Sequence, residues 1–287
     1  MSYASLWGAR WRMLRPGNAT MAAIGVVVGA VLVGGGTFAD VLAAAIAAFL
    51  ITGFGNVLND LQDVRIDREI HPERPLAKGD ISASEAKAFA GLLLAVGLWE
   101  AFAAAGVRTF LFAGANALLL VAYELRLKRM GLVGNLAVGA LVASTFLFGA
   151  ATVDGAWRAW GLVWALAAMA FLANVARELM KDVQDLEGDR EDRRTFPMQA
   201  GRPLTLALAF VLVQAAVGLS VVAWLRAPWP PFWGVLLLAA DVAFVVAAAG
   251  AWLDVGRGQR GLKVAMVLSL AAFGFGAMQQ RILGIGA

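Results

Sequence analysis

The chain contains no cysteine, so disulfides, thiolate nucleophiles and cysteine metal sites are excluded. It has one histidine, His71, and a single histidine cannot build a histidine-based metal centre. Charge is also scarce. Only 15% of the 287 residues are Asp, Glu, Lys or Arg, against about a quarter in an ordinary soluble domain. Hydrophobic residues make up 61% and fall into blocks near the ~20 residues that span a bilayer. Nine blocks are legible, at about 19–37, 40–58, 85–105, 107–124, 132–152, 157–178, 203–225, 231–252 and 261–283. Each should be α-helical, because backbone groups in lipid must be satisfied within their own segment. Their glycine and alanine content suits close helix packing. The expected architecture is an all-α bundle of nine membrane-spanning helices, a single domain over 1–287.

The basic residues orient the bundle. With the N-terminus in the cytoplasm, 20 of the 24 Lys and Arg residues fall on cytoplasmic segments, and only Arg108, Arg158, Arg226 and Arg281 lie opposite. That asymmetry is the positive-inside pattern. The net charge of +4 is therefore a matter of topology and does not point to nucleic acid, nor is an obligate protein partner implied. Residues 1–18 read as an interfacial amphipathic helix, with Trp7, Trp11 and Leu14 on one face and Arg10, Arg12 and Arg15 elsewhere.

The few acidic residues are clustered. "NDLQDVRIDREIHPERP" follows the second span and "RELMKDVQDLEGDRED" ends the sixth. Four spans separate them, so both emerge on one side, expected to be cytoplasmic. Asn59, Asp63 and Asp67 step by four and share a helical face. Asp182, Asp185 and Asp189 do the same if the helix continues past Gly188. Carboxylates stacked in this way repel one another, and a hard divalent cation would offset the repulsion. Mg²⁺ takes oxygen ligands, commonly one or two carboxylates with waters and phosphates. Two facing clusters could hold two such ions with a diphosphate between them. Arg68, Arg74, Arg177 and Lys181 flank the clusters, and "YELRLKR" adds Tyr123, Lys128 and Arg129 on the same side. Carboxylates for metal beside Arg and Lys for phosphate oxygens form a clamp for a phosphorylated substrate. Asp60, Glu69, Glu73, Glu187, Glu191 and Asp192 read as solvated, and Arg190, Arg193 and Arg194 as topology signals.

These motifs resemble those of the UbiA superfamily of intramembrane prenyltransferases. That family's N-D-x-x-D-x-x-x-D appears as "NDLQDVRID", its P-x-R-P-[LI]-x-x-G as "PERPLAKGDIS", its second D-x-x-x-D within "DVQDLEGD", and its Tyr–Lys loop as "YELRLK" followed by "GLVGN". The resemblance implies a nine-helix bundle around a central cavity, with a cytoplasmic cap carrying both Asp-rich motifs. It implies Mg²⁺, taken as two ions, and a prenyl diphosphate donor whose prenyl group passes to a lipophilic acceptor at the membrane. Carried onto this chain, Asn59, Asp63, Asp67, Asp185 and Asp189 would form the metal–diphosphate set, with Asp182 as the upstream acidic position. Arg74, Lys128 and Lys181 would grip the diphosphate, and Tyr123 would stand near the departing oxygen. The chemistry is coherent on its own terms. An allylic diphosphate leaves readily once its charge is neutralised, and a dry cavity protects the resulting cation from water.

Within the superfamily, "IDREIHPERPLAKGDIS" and "RELMKDVQDLEGDR" look most like the archaeal-type digeranylgeranylglyceryl phosphate synthases. That likeness implies geranylgeranyl transfer to the hydroxyl of geranylgeranylglyceryl phosphate in ether-lipid synthesis. Arg68 and Arg177 are then expected at the acceptor's phosphate. An aromatic acceptor such as 4-hydroxybenzoate is the alternative. A cation-coupled transporter is a rival from another class, because Asp241, Asn116 and Asn174 lie within spans. Its ionic site should lie near the midplane, however, and the clusters lie at the surface. A CDP-alcohol phosphotransferase would need its aspartates on one continuous run, which is not found. Phe54, Phe146 and Phe148 are candidate cavity liners.

Overall fold

The computed structural model describes residues 3–155, 160–186, 195–226 and 231–283. These residues are helical with short connections, and no strand occurs among them. The elements are α1 (Tyr3–Leu14), α2 (Pro16–Leu32), α3 (Phe38–Ile70), α4 (Pro75–Lys78), α5 (Ala83–Ala105), α6 (Val107–Leu125), a 3₁₀ turn at Leu127–Arg129, α7 (Leu132–Ala150), α8 (Trp160–Gln184), α9 (Phe196–Arg226), α10 (Pro231–Gly250) and α11 (Val255–Leu283). Among the described residues, eight helices are long and apolar enough to cross a bilayer. Leu6–Leu14 and Pro16–Leu32, bent by 50°, make a ninth if counted as one span.

Several helices run past their apolar cores. α3 has 33 residues and is about 50 Å long, whereas the hydrocarbon layer is about 30 Å thick. Nothing between Leu58 and Ile70 breaks a helix, so polar sequence continues the rod until His71, whose backbone leaves the helix ahead of Pro72. Asp63 and Asp67 therefore stand on the last turns of an unbroken helix. Beyond it, Pro75 opens the one-turn α4, Gly79 closes it in the left-handed conformation, and the buried Leu76 and Ile81 staple the turn down. Ser82 then starts α5 with a reciprocal capping box to Glu85.

The N-terminal helix differs from the expectation in one respect. Trp7 and Trp11 are exposed, whereas Leu14 is buried with Met13 against Phe54 and Val57 of α3. Leu14 belongs to the packed face because a Cβ at Gly53 would stand 2.5 Å from its side chain. Arg15 makes the elbow with φ 48°, a left-handed conformation unusual for a non-glycine residue.

α2, α3, α6, α7, α8, α9, α10 and α11 all line one cavity of about 1310 Å³, while α5 packs behind α3. α2 and α7 approach closely. A Cβ on Gly29 would overlap the Phe146 carbonyl, and one on Gly149 would overlap that of Val26. The crossing needs glycine on both helices.

Candidate active site

The mouth of the cavity is polar and its interior is mostly apolar, with Ile51, Leu120, Val142, Phe146, Leu166 and Phe244 among the walls. Asn59, Asp63 and Asp67 of α3 and Asp185 beyond α8 all line it. The two motifs, more than a hundred residues apart, therefore meet at one opening. Tyr123, Lys128, Arg74, Arg177 and Lys181 line the same cavity.

On the α3 side the polar groups form a connected network. Asn59 donates through Nδ2 to Asp63 Oδ2 at 2.9 Å and to Glu124 Oε2 at 3.1 Å. Lys128 Nζ, on the 3₁₀ turn, donates to Asp63 Oδ1 at 2.7 Å and to Glu124 Oε2 at 2.8 Å. The Lys128 side chain is only 4% exposed, so this cation is desolvated and held between two carboxylates. Arg74 places Nη1 2.7 Å from both oxygens of Asp67. On the α8 side, Arg177 pairs with the buried Glu178, and Lys181 lies 4.0 Å from the same carboxylate.

Three expectations change. Helix α8 runs to Gln184, and the Asp185 N–H still bonds to the Lys181 carbonyl at 2.9 Å, so Asp182 and Asp185 stand at its last turn. Asp182 accepts from Asn135 Nδ2 at 2.8 Å and is not on the cavity wall, while Asp185 is; Asp189 lies outside the described residues. Arg68 lies on a separate, smaller pocket with Val64, Leu76 and Glu85. It follows Asp67 by one residue, a rotation of about 100° that turns it off the cavity face. Asp60 is not solvated. It is 2% exposed, 2.5 Å from Arg15 and 3.7 Å from Arg74.

Other residues at the site were not among those expected from the sequence. Glu124 could have been found from its i, i+4 spacing to Lys128. Arg15, which also donates to Asn59 Oδ1 at 3.1 Å, and Glu178 and Lys263 become visible only once the helices pack. Deeper in the cavity, Asp241 accepts from Ser220 at 3.0 Å and Asn116 accepts from Ser144 at 2.5 Å. Phe146 and Phe148 line the cavity; Phe54 packs in the core with Met13 and Leu93.

The donor set suits a hard cation. Oxygen ligands dominate, the single histidine is exposed, and no group of three carboxylate or imidazole side chains is closed into a cage among the described residues. An open set of one or two carboxylates is what Mg²⁺ shares with waters and substrate phosphates.

The model of the UbiA prenyltransferase family matches residues 22–278. A digeranylgeranylglyceryl phosphate synthase of Methanopyrus kandleri is 38% identical over 270 residues, covering 91% of this chain and 96% of that protein. A solved structure concerned with digeranylgeranylglyceryl phosphate synthase in membranes superposes with a TM-score of 0.79 at 29% identity, covering 96% of this chain and 99% of the other. A UbiA homologue from Archaeoglobus fulgidus bound to GPP and Mg²⁺ superposes with a TM-score of 0.71 at 20% identity, covering 94% of this chain and 99% of the other.

Proposed function

The chain belongs to the UbiA prenyltransferase family, and from that premise we propose that it transfers a geranylgeranyl group from its diphosphate to the hydroxyl of geranylgeranylglyceryl phosphate. The observation that carries this reading is the single cavity whose mouth gathers Asn59, Asp63, Asp67 and Asp185 with Arg74, Lys128 and Lys181 above apolar walls. A diphosphate fits the mouth and a polyprenyl tail fits the interior. Likeness to the Methanopyrus synthase over nearly the whole chain supports the glycerol phosphate acceptor.

Asn59, Asp63, Asp67 and Asp185, with Asp189, would hold Mg²⁺, taken as two ions. When bound, Mg²⁺ neutralises the diphosphate and makes it a better leaving group. The chain's own residues do the rest. Lys128 and Arg74 exchange their carboxylate partners for phosphate oxygens as substrate enters, which keeps every buried charge paired. Tyr123 directs its hydroxyl toward the departing oxygen. The apolar walls exclude water while the C1–O bond to diphosphate breaks and the acceptor oxygen closes on C1. The acceptor's proton leaves through the polar mouth. The N-terminus and this mouth face the cytoplasm, where most of the basic residues are placed.

Purified protein with Mg²⁺ and labelled geranylgeranyl diphosphate should transfer label to geranylgeranylglyceryl phosphate, with 4-hydroxybenzoate offered in parallel. EDTA should abolish transfer, fresh Mg²⁺ should restore it, and Asp63→Ala should lack it. Transfer to the aromatic alone would overturn the acceptor and keep the donor chemistry.

A further inference from the structure

Two anions must meet in this cavity if the acceptor is a phosphate monoester, and the cations near the aspartates are already engaged. Lys128 is shared by Asp63 and Glu124, and Arg74 holds Asp67. The opposite wall is different. α11 turns Lys263, Met266, Val267, Ser269 and Leu270 to the cavity, so Lys263 is the one ionic residue it contributes among the described residues. Lys263 makes no ion pair among those residues.

Register places Lys263. α8 runs toward the mouth and α11 away from it. They meet where a Cβ on Gly256 would stand 3.5 Å from Gln184 Nε2. Seven residues on from Gly256 is Lys263, and seven back from Gln184 is Arg177. Both therefore stand about 10 Å inside the mouth of the α8–α11 wall, at 1.5 Å per residue. The same counting applies on the far wall. α3 and α6 run parallel, matched by the contacts of Asn59 with Glu124 and of Asp63 with Lys128. Tyr123 comes one residue before Glu124, below the level of Asp63. Tyr123 thus lies deeper than Asp63 on one wall, and Arg177 and Lys263 lie deeper than Asp185 on the other. Arg177 is oriented by Glu178 and lies 3.5 Å from Asn174 Oδ1.

We propose that Lys263, level with Arg177, seats the phosphate of the acceptor and thereby selects a lipid-linked phosphate monoester over an uncharged alcohol. This rests on the glycerol phosphate reading above and adds a residue from the last helix to it. The nucleophilic hydroxyl has to reach C1 from inside the cavity, opposite the leaving diphosphate. A phosphate on the neighbouring glycerol carbon then falls on the cavity side of Asp185, where Lys263 and Arg177 stand. The bland alternative is a lysine that rests its stem on apolar wall with its head in water. Such a residue would not distinguish acceptors.

The test compares the full-length enzyme with Lys263→Ala and Lys263→Arg, using geranylgeranylglyceryl phosphate and its phosphate-free alcohol as acceptors. Lys263→Ala should raise KM for the phosphorylated acceptor about ten- to a hundredfold, the range for losing a hydrogen bond to a charged group. Donor KM and the KM for the alcohol should change by less than about twofold on the same scale. Lys263→Arg should restore most of the loss, and the exposed position makes misfolding a poor explanation of the Ala result. An unchanged acceptor KM in Lys263→Ala, or an equal rise for both acceptors or for the donor, overturns the assignment while the acceptor reading stands. A wild-type enzyme that prenylates neither glycerol acceptor overturns the acceptor reading itself, and the assignment with it.

Discussion

At the residue scale, the site is organised by cations that are committed before substrate arrives. Lys128 lies between Asp63 and Glu124 with almost no exposure. Lys128→Met should leave two facing carboxylates without a counter-charge and lower stability by about 3–5 kcal/mol. Adding Glu124→Gln should recover part of that stability, read as the thermal midpoint in detergent, and none of the transfer activity. Arg68 and Arg74 offer a sharper contrast. They flank the first motif in sequence, yet only Arg74 reaches the cavity. Arg74→Ala should lower transfer about a hundredfold, typical of losing one fixed donor to developing charge. Arg68→Ala should leave transfer nearly unchanged. Equal losses in a parallel assay would mean that position around the α3 helix does not decide which arginine acts.

At the element scale, helix length and close approach matter most. α3 carries its aspartates beyond the hydrocarbon layer because the rod continues through polar sequence to Ile70. The α2–α7 crossing holds Thr145 and Phe146 against the cavity. Gly149→Val would force the two backbones apart, since a Cβ there meets the Val26 carbonyl and the Ala30 amide nitrogen. A loss of about 1–3 kcal/mol is expected, as for overpacking in a tight core, with transfer reduced as the cavity wall shifts. Gly91→Val on α5 is the control, because a Cβ there meets nothing within 4 Å. Equal melting of both variants would refute the tight α2–α7 crossing.

At the scale of the whole molecule, the absence of cysteine is an experimental advantage. Single cysteines can be labelled against a blank background. Glu73→Cys lies in the turn beside the mouth, and Asp154→Cys lies in the exposed turn after α7, at the opposite end of the bundle. With the mouth cytoplasmic, an impermeant thiol reagent should label Asp154→Cys in intact cells and Glu73→Cys only after permeabilisation. The reverse pattern would invert the topology. All nine apolar blocks correspond to helices of the structure, and the pairing of Asn59, Asp63 and Asp67 on one face could be read from spacing alone. The place of Asp182 could not, since spacing along one helix does not show that Asn135 of a neighbouring helix holds its carboxylate.

By itself the sequence determined the class of molecule. Runs of apolar residues near bilayer length permit only helices, and the bias of Arg and Lys is the ground for the proposed direction that cysteine labelling tests. The motif residues and their shared side of the membrane follow from spacing and the parity of the spans. The tertiary structure alone decided which polar groups meet. Arg15, Glu124, Glu178 and Lys263 lie on four different helices or elbows, and no local period links them. Packing brings them to one cavity, and the 100° turn per residue of a helix sends Arg68 away from it. Periodicity is a property of a single helix, whereas a binding site is a property of several, and only their relative rotation and register fix it.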